Sequence, residues 1–147
     1  MQKNITNRIV IDTNVLVALL DSRDVHHQRA VSLVRRLQQS DFSEAIMDCI
    51  VNEVYTVFAR RCLERGRSFS DITRAIKQKL ESLETIAAYS MVDRYHARII
   101  DLMITTNGLL NYHDALICLT MKSKKLHQIA TFDRDFENVS WLTILAS

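Results

Sequence analysis

Arg8-Ile9-Val10-Ile11-Asp12-Thr13-Asn14, RIVIDTN, runs three β-branched apolar residues straight into an aspartate, a threonine and an asparagine. Val15-Leu16-Val17-Ala18-Leu19-Leu20 follows without a break. An apolar run with no polar alternation reads as a short strand covered on both faces, the mark of a parallel sheet. Thr13 or Asn14 stands where a helix to about Leu20 needs its cap. The stretch therefore sets a carboxylate at the junction between a buried strand and a buried helix. Charge is expensive there unless something compensates it.

The same alternation continues along the chain. A helix is expected over roughly Val25 to Gln38, with Ala30, Val31, Val34 and Leu37 on one side. Ala45-Ile46-Met47 reads as a second strand. Asp48 can cap a following helix in which Ile50, Val54, Val57, Phe58 and Cys62 recur at helical spacing, ending near Arg65-Gly66. Ser70-Asp71 opens another helix, with Ile72, Ile76, Leu80 and Leu83 inward. Thr85 to Ala88 is a weak strand, and Ser90 with Asp93 resembles a capping pair for a helix to about Thr105, closed by Asn107-Gly108. Asn111 or His113 precedes an apolar helix from Ala115 to Met121. Gln128-Ile129-Ala130 and Trp141 to Leu145 supply the last two strands. Strands alternating with helices imply parallel pairing through right-handed crossovers, hence an α/β fold.

The bulk composition narrows the function. With 147 residues, 48% apolar and 24% charged, the chain suits one globular domain spanning 1–147. No apolar run reaches the roughly 18 residues of a membrane span, and Met1 to Arg8 lacks the apolar core of a signal peptide. Cys49, Cys62 and Cys118 form no C-x-x-C pair and sit in apolar helical patterns, so they read as reduced core residues and point to the cytoplasm. The two glycines, Gly66 and Gly108, cannot build a G-x-G-x-x-G turn or a P-loop, which excludes both nucleotide cradles.

Ligands of an open parallel sheet sit at the carboxyl ends of its strands. Asp12 follows the first strand, Asp48 and Glu53 the second, and Thr131, Asp133 and Asp135 the fourth; Asp114 opens a helix that can return to the same edge. Two carboxylates about 4 Å apart repel by roughly 4 kcal/mol at an effective dielectric near 20. Several together call for protonation or bridging cations. Oxygen-only ligands favour Mg²⁺ or Mn²⁺ over zinc, and a pair of such ions suits in-line phosphodiester cleavage. No Ser-His-Asp or Cys-His arrangement competes.

Four motifs carry a family resemblance: IDTNVLVALLD (Ile11 to Asp21), NEV (Asn52 to Val54), YHDALI (Tyr112 to Ile117) and ATFDRDF (Ala130 to Phe136). In this order, over nearly the whole chain, they resemble the PIN-domain family and within it the small VapC-type toxins. The resemblance implies a three-layer α/β/α sandwich with a five-stranded, mostly parallel sheet. It also implies Mg²⁺- or Mn²⁺-dependent endoribonuclease activity, an RNA substrate, a cognate antitoxin protein and a homodimer. Asp12, Glu53, Asp114 and Asp133 match the family's metal-binding acids. Asn14 matches the polar residue that orients the first carboxylate, and Thr131 the hydroxyl that supports the last. The segment from Arg65 to Leu83 matches the projecting helical pair that serves dimer or antitoxin contact. The connection Lys122 to His127 departs from the family in lacking a glycine before the fourth strand.

Each site residue has a plainer reading as well. Asp12, Asp114 and Asp133 are also cap or turn residues by position, and Glu53 a solvated helix-face acid. Asp48 reads as a cap. Asp135 either supports the metals from outside or faces water, and His113 is a cap or a neighbour of the acids. Setting the four acids aside leaves 13 acidic residues against 19 basic, an excess that suits a polyanion without telling RNA from DNA. Other functions for such a fold are a non-toxin RNA-processing nuclease and a non-catalytic RNA-binding domain. A phosphate-signalling receiver fails for want of paired aspartates after the first strand, and a dehalogenase-like phosphatase because Asn14 stands where Asp-x-Asp needs its second acid.

Overall fold

The computed structural model of the protein describes residues 7–146. Five strands, β1 (Arg8–Ile11), β2 (Ser43–Met47), β3 (Glu84–Ile86), β4 (Gln128–Ala130) and β5 (Thr143–Leu145), form one sheet in the order β3-β2-β1-β4-β5. Every pairing is parallel, with Val10 facing Ala45 on one side and Ile129 on the other. Six α-helices flank the sheet among the described residues: α1 (Thr13–Leu20), α2 (His27–Gln38), α3 (Asp48–Glu64), α4 (Phe69–Glu81), α5 (Val92–Thr105) and α6 (Tyr112–Ser123). This is the expected α/β fold with a five-stranded parallel sheet.

The apolar RIVI strand lies at the centre because it has to be covered on both faces. Ile9, Val10 and Ile11 are at most 1% exposed, and each such burial contributes roughly 1.5–3 kcal/mol. Ala45, Ile46, Met47, Ile129 and Ala130 continue the layer on its flanks, and Val15, Leu16, Ile50, Val54, Ile117 and Met121 close over it from the helices. Asp12 N–H donates to the Ala130 carbonyl at 2.9 Å, one step beyond β1, and Thr131 N–H to the Leu145 carbonyl at 3.1 Å, one step beyond β4. The ladder thus fixes the backbone of two residues at the carboxyl edge.

Several boundaries differ from expectation for local reasons. Asp12 itself caps α1, taking the Thr13 N–H on its carboxylate, so neither Thr13 nor Asn14 is the cap. α2 starts at His27 rather than Val25, because the Asp24 carbonyl and carboxylate hold a turn through His27 N–H and His26 N–H. Ser90 and Asp93 form no capping pair: a 3₁₀ turn, Tyr89–Met91, leads directly into α5. Asp48 is the first residue of α3, and its carboxylate ties the Cys49 N–H to the Ala88 N–H across the sheet edge.

Three helices end in the same left-handed turn. Arg67 N–H reaches the Cys62 carbonyl, Gly108 N–H the Met103 carbonyl, and Leu126 N–H the Met121 carbonyl, with positive φ at Gly66, Asn107 and Lys125 respectively. Lys125, at φ 56°, fills the place of the missing glycine. A lysine pays a steric penalty in that conformation that glycine does not. Lys125→Gly is expected to stabilise the fold by about 0.5 kcal/mol, the steric relief being partly offset by the freer unfolded chain; urea unfolding measures it, and a destabilised variant would show that the lysine side chain contributes contacts of its own.

Candidate active site

The site is built from the ends of β1 and β4. The Asp12 carboxylate is 5% exposed and fully engaged by its neighbours. Its Oδ1 accepts from Thr13 N–H at 2.8 Å, and its Oδ2 from the Thr131 hydroxyl at 2.7 Å and Asn14 Nδ2 at 3.1 Å. The Thr131 hydroxyl is saturated, because it also accepts from Asn14 Nδ2 at 3.1 Å and from Asp133 N–H at 3.0 Å. Asn14 closes the circuit by accepting the Phe132 N–H on Oδ1 at 3.0 Å. Asp133 in turn accepts the Asp135 N–H at 2.9 Å and caps the short turn Arg134–Asn138.

The other two acids arrive from helices. Glu53, one turn into α3, accepts the Thr13 hydroxyl on Oε2 at 2.7 Å. Asp114 lies in the first turn of α6, where its N–H is capped by Asn111 Oδ1 at 2.9 Å and the helix dipole favours its charge. Between them stands His113, with Nδ1 3.4 Å from Glu53 and 3.8 Å from Asp114, and Nε2 3.3 Å from the Cys49 carbonyl.

Asp12, Glu53, Asp114 and Asp133 all line one open cleft of about 480 Å³, together with Thr13, Asn14, Asp24, Val25, His26, Arg61 and Asn111. Thr131 is wholly buried beneath it. Asp135 contributes its N–H to Asp133 and its charge to that neighbourhood but is not part of the cleft wall. Asp48 faces the β3 end instead.

The electrostatics show how loaded the cleft is. Burial pushes the Asp12 carboxyl up to about 6, with Asp114 and Glu53 adding to it, against the bonds from Thr131 and Thr13. Burial likewise raises Asp133, reinforced by Asp135 and Asp114. Burial opposes charge on His113, yet the side chains of Asp114, Cys49 and Glu53 outweigh it and push the imidazole up to about 11. The ring thus stands within ion-pair distance of two of the acids. Arg61, which lines the cleft, is already paired: it donates to Asp21 at 2.6 Å and Asp24 at 2.8 Å.

Among the described residues, no group of three or more His, Cys, Asp or Glu is placed as a preformed metal cage. The donor set nevertheless suits a hard divalent cation. Apart from Asp24, which is paired with Arg61, four carboxylates line one water-accessible cleft, and oxygen donors are the ones Mg²⁺ and Mn²⁺ take. Residues that could hold such an ion are Asp12, Glu53, Asp114 and Asp133. Two features of this arrangement escape the sequence reading: the Thr13 hydroxyl as the anchor of Glu53, and the place of His113 between Glu53 and Asp114.

The PIN-domain family profile matches residues 9–142. Ribonuclease VapC2 of Methanocaldococcus jannaschii is 26% identical over 148 residues, covering 95% of this chain and 93% of that one. VapBC2 from Rickettsia felis, solved bound to a DNA fragment from their promoter, superposes with a TM-score of 0.70 at 13% identity over 94% of this chain and 97% of that one. VapC20 of Mycobacterium tuberculosis, a sarcin-ricin loop cleaving toxin, gives 0.66 at 19% identity over 88% and 92%. At these identities the structural likeness speaks to the fold.

Proposed function

The chain belongs to the PIN-domain family, and from that premise we propose that residues 1–147 act as one Mg²⁺- or Mn²⁺-dependent endoribonuclease domain, the toxin of a type II toxin–antitoxin pair. The observation that carries this reading is the meeting of Asp12, Glu53, Asp114 and Asp133, from four distant segments, in one cleft. The VapC2 ribonuclease likeness and the VapBC2 likeness support RNA as substrate and a small antitoxin as partner. A cytoplasmic homodimer completes the proposal.

A divalent cation bound by these acids supplies charge compensation for activating water and for the leaving oxygen of the phosphodiester. The chain's own residues do the positioning. Thr13 N–H, Asn14 and Thr131 hold Asp12 in one orientation, while Thr131 and the Asp135 N–H set the Asp133 loop against it. The Thr13 hydroxyl holds Glu53 toward the cleft. His113 stands between Glu53 and Asp114 and, when protonated, relieves their repulsion. Preorganised carboxylates of this kind need no rearrangement when charge develops on the phosphate.

Incubation of the protein with total RNA and Mg²⁺ or Mn²⁺ tests the reading: discrete new ends that vanish with EDTA are expected, and intact RNA under all conditions would refute it. The supporting role of Thr131 has its own test. Thr131→Val keeps the shape but removes a donor to Asp12 and an acceptor for Asp133 N–H and Asn14. Cleavage is expected to fall by about 10- to 100-fold, as for residues that orient metal-binding groups; an unaffected rate would show that Asp12 needs no such support.

A further inference from the structure

The cleft has a wall that the acids do not explain. The connection between α1 and α2 runs along its rim, and Val25 at the tip is 91% exposed. This is not a slack loop. Asp21 Oδ1 holds the Arg23 N–H, Asp24 Oδ1 the His26 N–H, the His27 ring bonds the Ala18 carbonyl at 2.8 Å, and Arg61 reaches across from α3 to Asp24 at 2.8 Å. A rigid turn therefore presents an apolar side chain to water at the mouth of an acidic cleft.

Next to Val25, the exposed His26 lines the same cleft and rests its ring on Phe132, centroids 5.5 Å apart and planes 47° from parallel. Phe132 lies between Thr131 and Asp133, so its position is fixed by the same network that orients Asp12. Arg29 stands over Phe132 with its guanidinium carbon 4.4 Å from the ring centre. Apolar tip, two packed rings and a cation thus adjoin a cleft whose other charged lining groups are acids and the paired Arg61.

We propose that His26, with Val25 beside it and Phe132 behind it, is a nucleobase platform, on which the base next to the cleaved phosphodiester packs while Arg29 meets a neighbouring phosphate. Aromatic faces bind single-stranded bases with little sequence preference, and a nearby cation holds the backbone. A rigid platform aligns the phosphate over the carboxylates without an ordering cost at binding. The assignment rests on the reading of the cleft as an RNA-cleaving site.

The test uses a short single-stranded RNA with 2-aminopurine beside the cut, in cleavage with Mg²⁺ and in binding with EDTA. His26→Ala is expected to raise KM by about 5- to 20-fold with kcat changed less than about twofold, and to abolish the fluorescence quench on binding. His26→Phe is expected to keep both, and Val25→Ser to raise KM by a smaller factor. An abasic sugar in place of the 2-aminopurine should cost the wild type as much as His26→Ala does, and cost the variant nothing more. Equal KM in wild type and His26→Ala, or two losses that simply multiply, would overturn the platform while leaving the nuclease reading intact. Should the wild type cut no RNA, that reading fails, and the platform, which needs a cleaved phosphodiester beside it, is overturned with it.

Discussion

Asp12→Asn is expected to lower metal-dependent RNA cleavage by on the order of 10³-fold or more while making the metal-free protein more stable above neutral pH. Both effects come from one feature. Burial raises the Asp12 carboxyl from 3.8 to about 6, so the fold prefers the protonated acid. Below about pH 4 the carboxyl is protonated folded and unfolded, and it costs nothing; between there and about 6 the unfolded chain ionises first, and above 6 the folded state carries the full penalty. At 1.36 kcal/mol per unit the ceiling is about 3 kcal/mol. An asparagine avoids it, but its amino group must face Asn14 Nδ2 and the Thr131 hydroxyl, which leaves a net gain of about 1–2 kcal/mol at pH 8, fading as the pH falls to 4. Urea unfolding in EDTA at both pH values measures it. A variant that cuts RNA at the wild-type rate would remove Asp12 from the chemistry; one that is less stable at pH 8 would mean that its hydrogen bonds outweigh the buried charge.

The second large effect concerns the turn that flanks the cleft. Arg61 and Arg65 of α3 converge on Asp21, at 2.6 and 2.9 Å, and Arg61 also holds Asp24 at 2.8 Å. Burial works to raise both carboxyls, but these partners and the N–H groups of Arg23 and His26 outweigh it and keep them below the usual carboxylate range. Arg61→Met strips Asp24 of its arginine and leaves the Asp21 carboxylate, 7% exposed, with Arg65 as its remaining cation. Unpairing a buried carboxylate costs about 3–5 kcal/mol; because Arg61 is one-quarter exposed and Arg65 remains, a loss of about 2 kcal/mol is expected. The stabilisation is present above the unfolded pKa near 3.8 and disappears as pH falls through the lower folded values. The penalty of Arg61→Met should therefore be full at pH 6–8 and shrink as the pH falls below the unfolded value near 3.8. A loss that does not depend on pH would assign it to the packing of the arginine stem instead.

Much of this was legible in the residues, and the limits have physical causes. RIVI could be read as a central strand because an unbroken β-branched run tolerates water on neither face, and the five strands followed from like patterns. The acids could be gathered because the carboxyl edge of a parallel sheet is one place, whichever segment a residue comes from. What the sequence hid depended on side-chain direction. Asp12 reads as either cap or ligand, yet the structure lets it cap α1 through Oδ1 while Oδ2 is held by Asn14 and Thr131. The Ser90–Asp93 pattern failed because Tyr89, tied to Asp48 and Asn52, begins a 3₁₀ turn first. Lys125 adopts the left-handed conformation without a glycine because the buried Leu126 fixes the helix end. The Arg61–Asp21–Asp24 cluster joins residues about forty apart and carries no local signal.

The central claim is that four carboxylates from separate segments act together on a divalent cation. Crystals soaked in Mn²⁺, measured near the manganese absorption edge, test it most directly. An anomalous peak is expected in the cleft, contacted by Asp12 and at least one of Glu53, Asp114 and Asp133 and absent from Asp12→Asn crystals. A protein that cuts RNA in Mn²⁺ but shows no peak in the cleft, or shows one held by other residues, would contradict it.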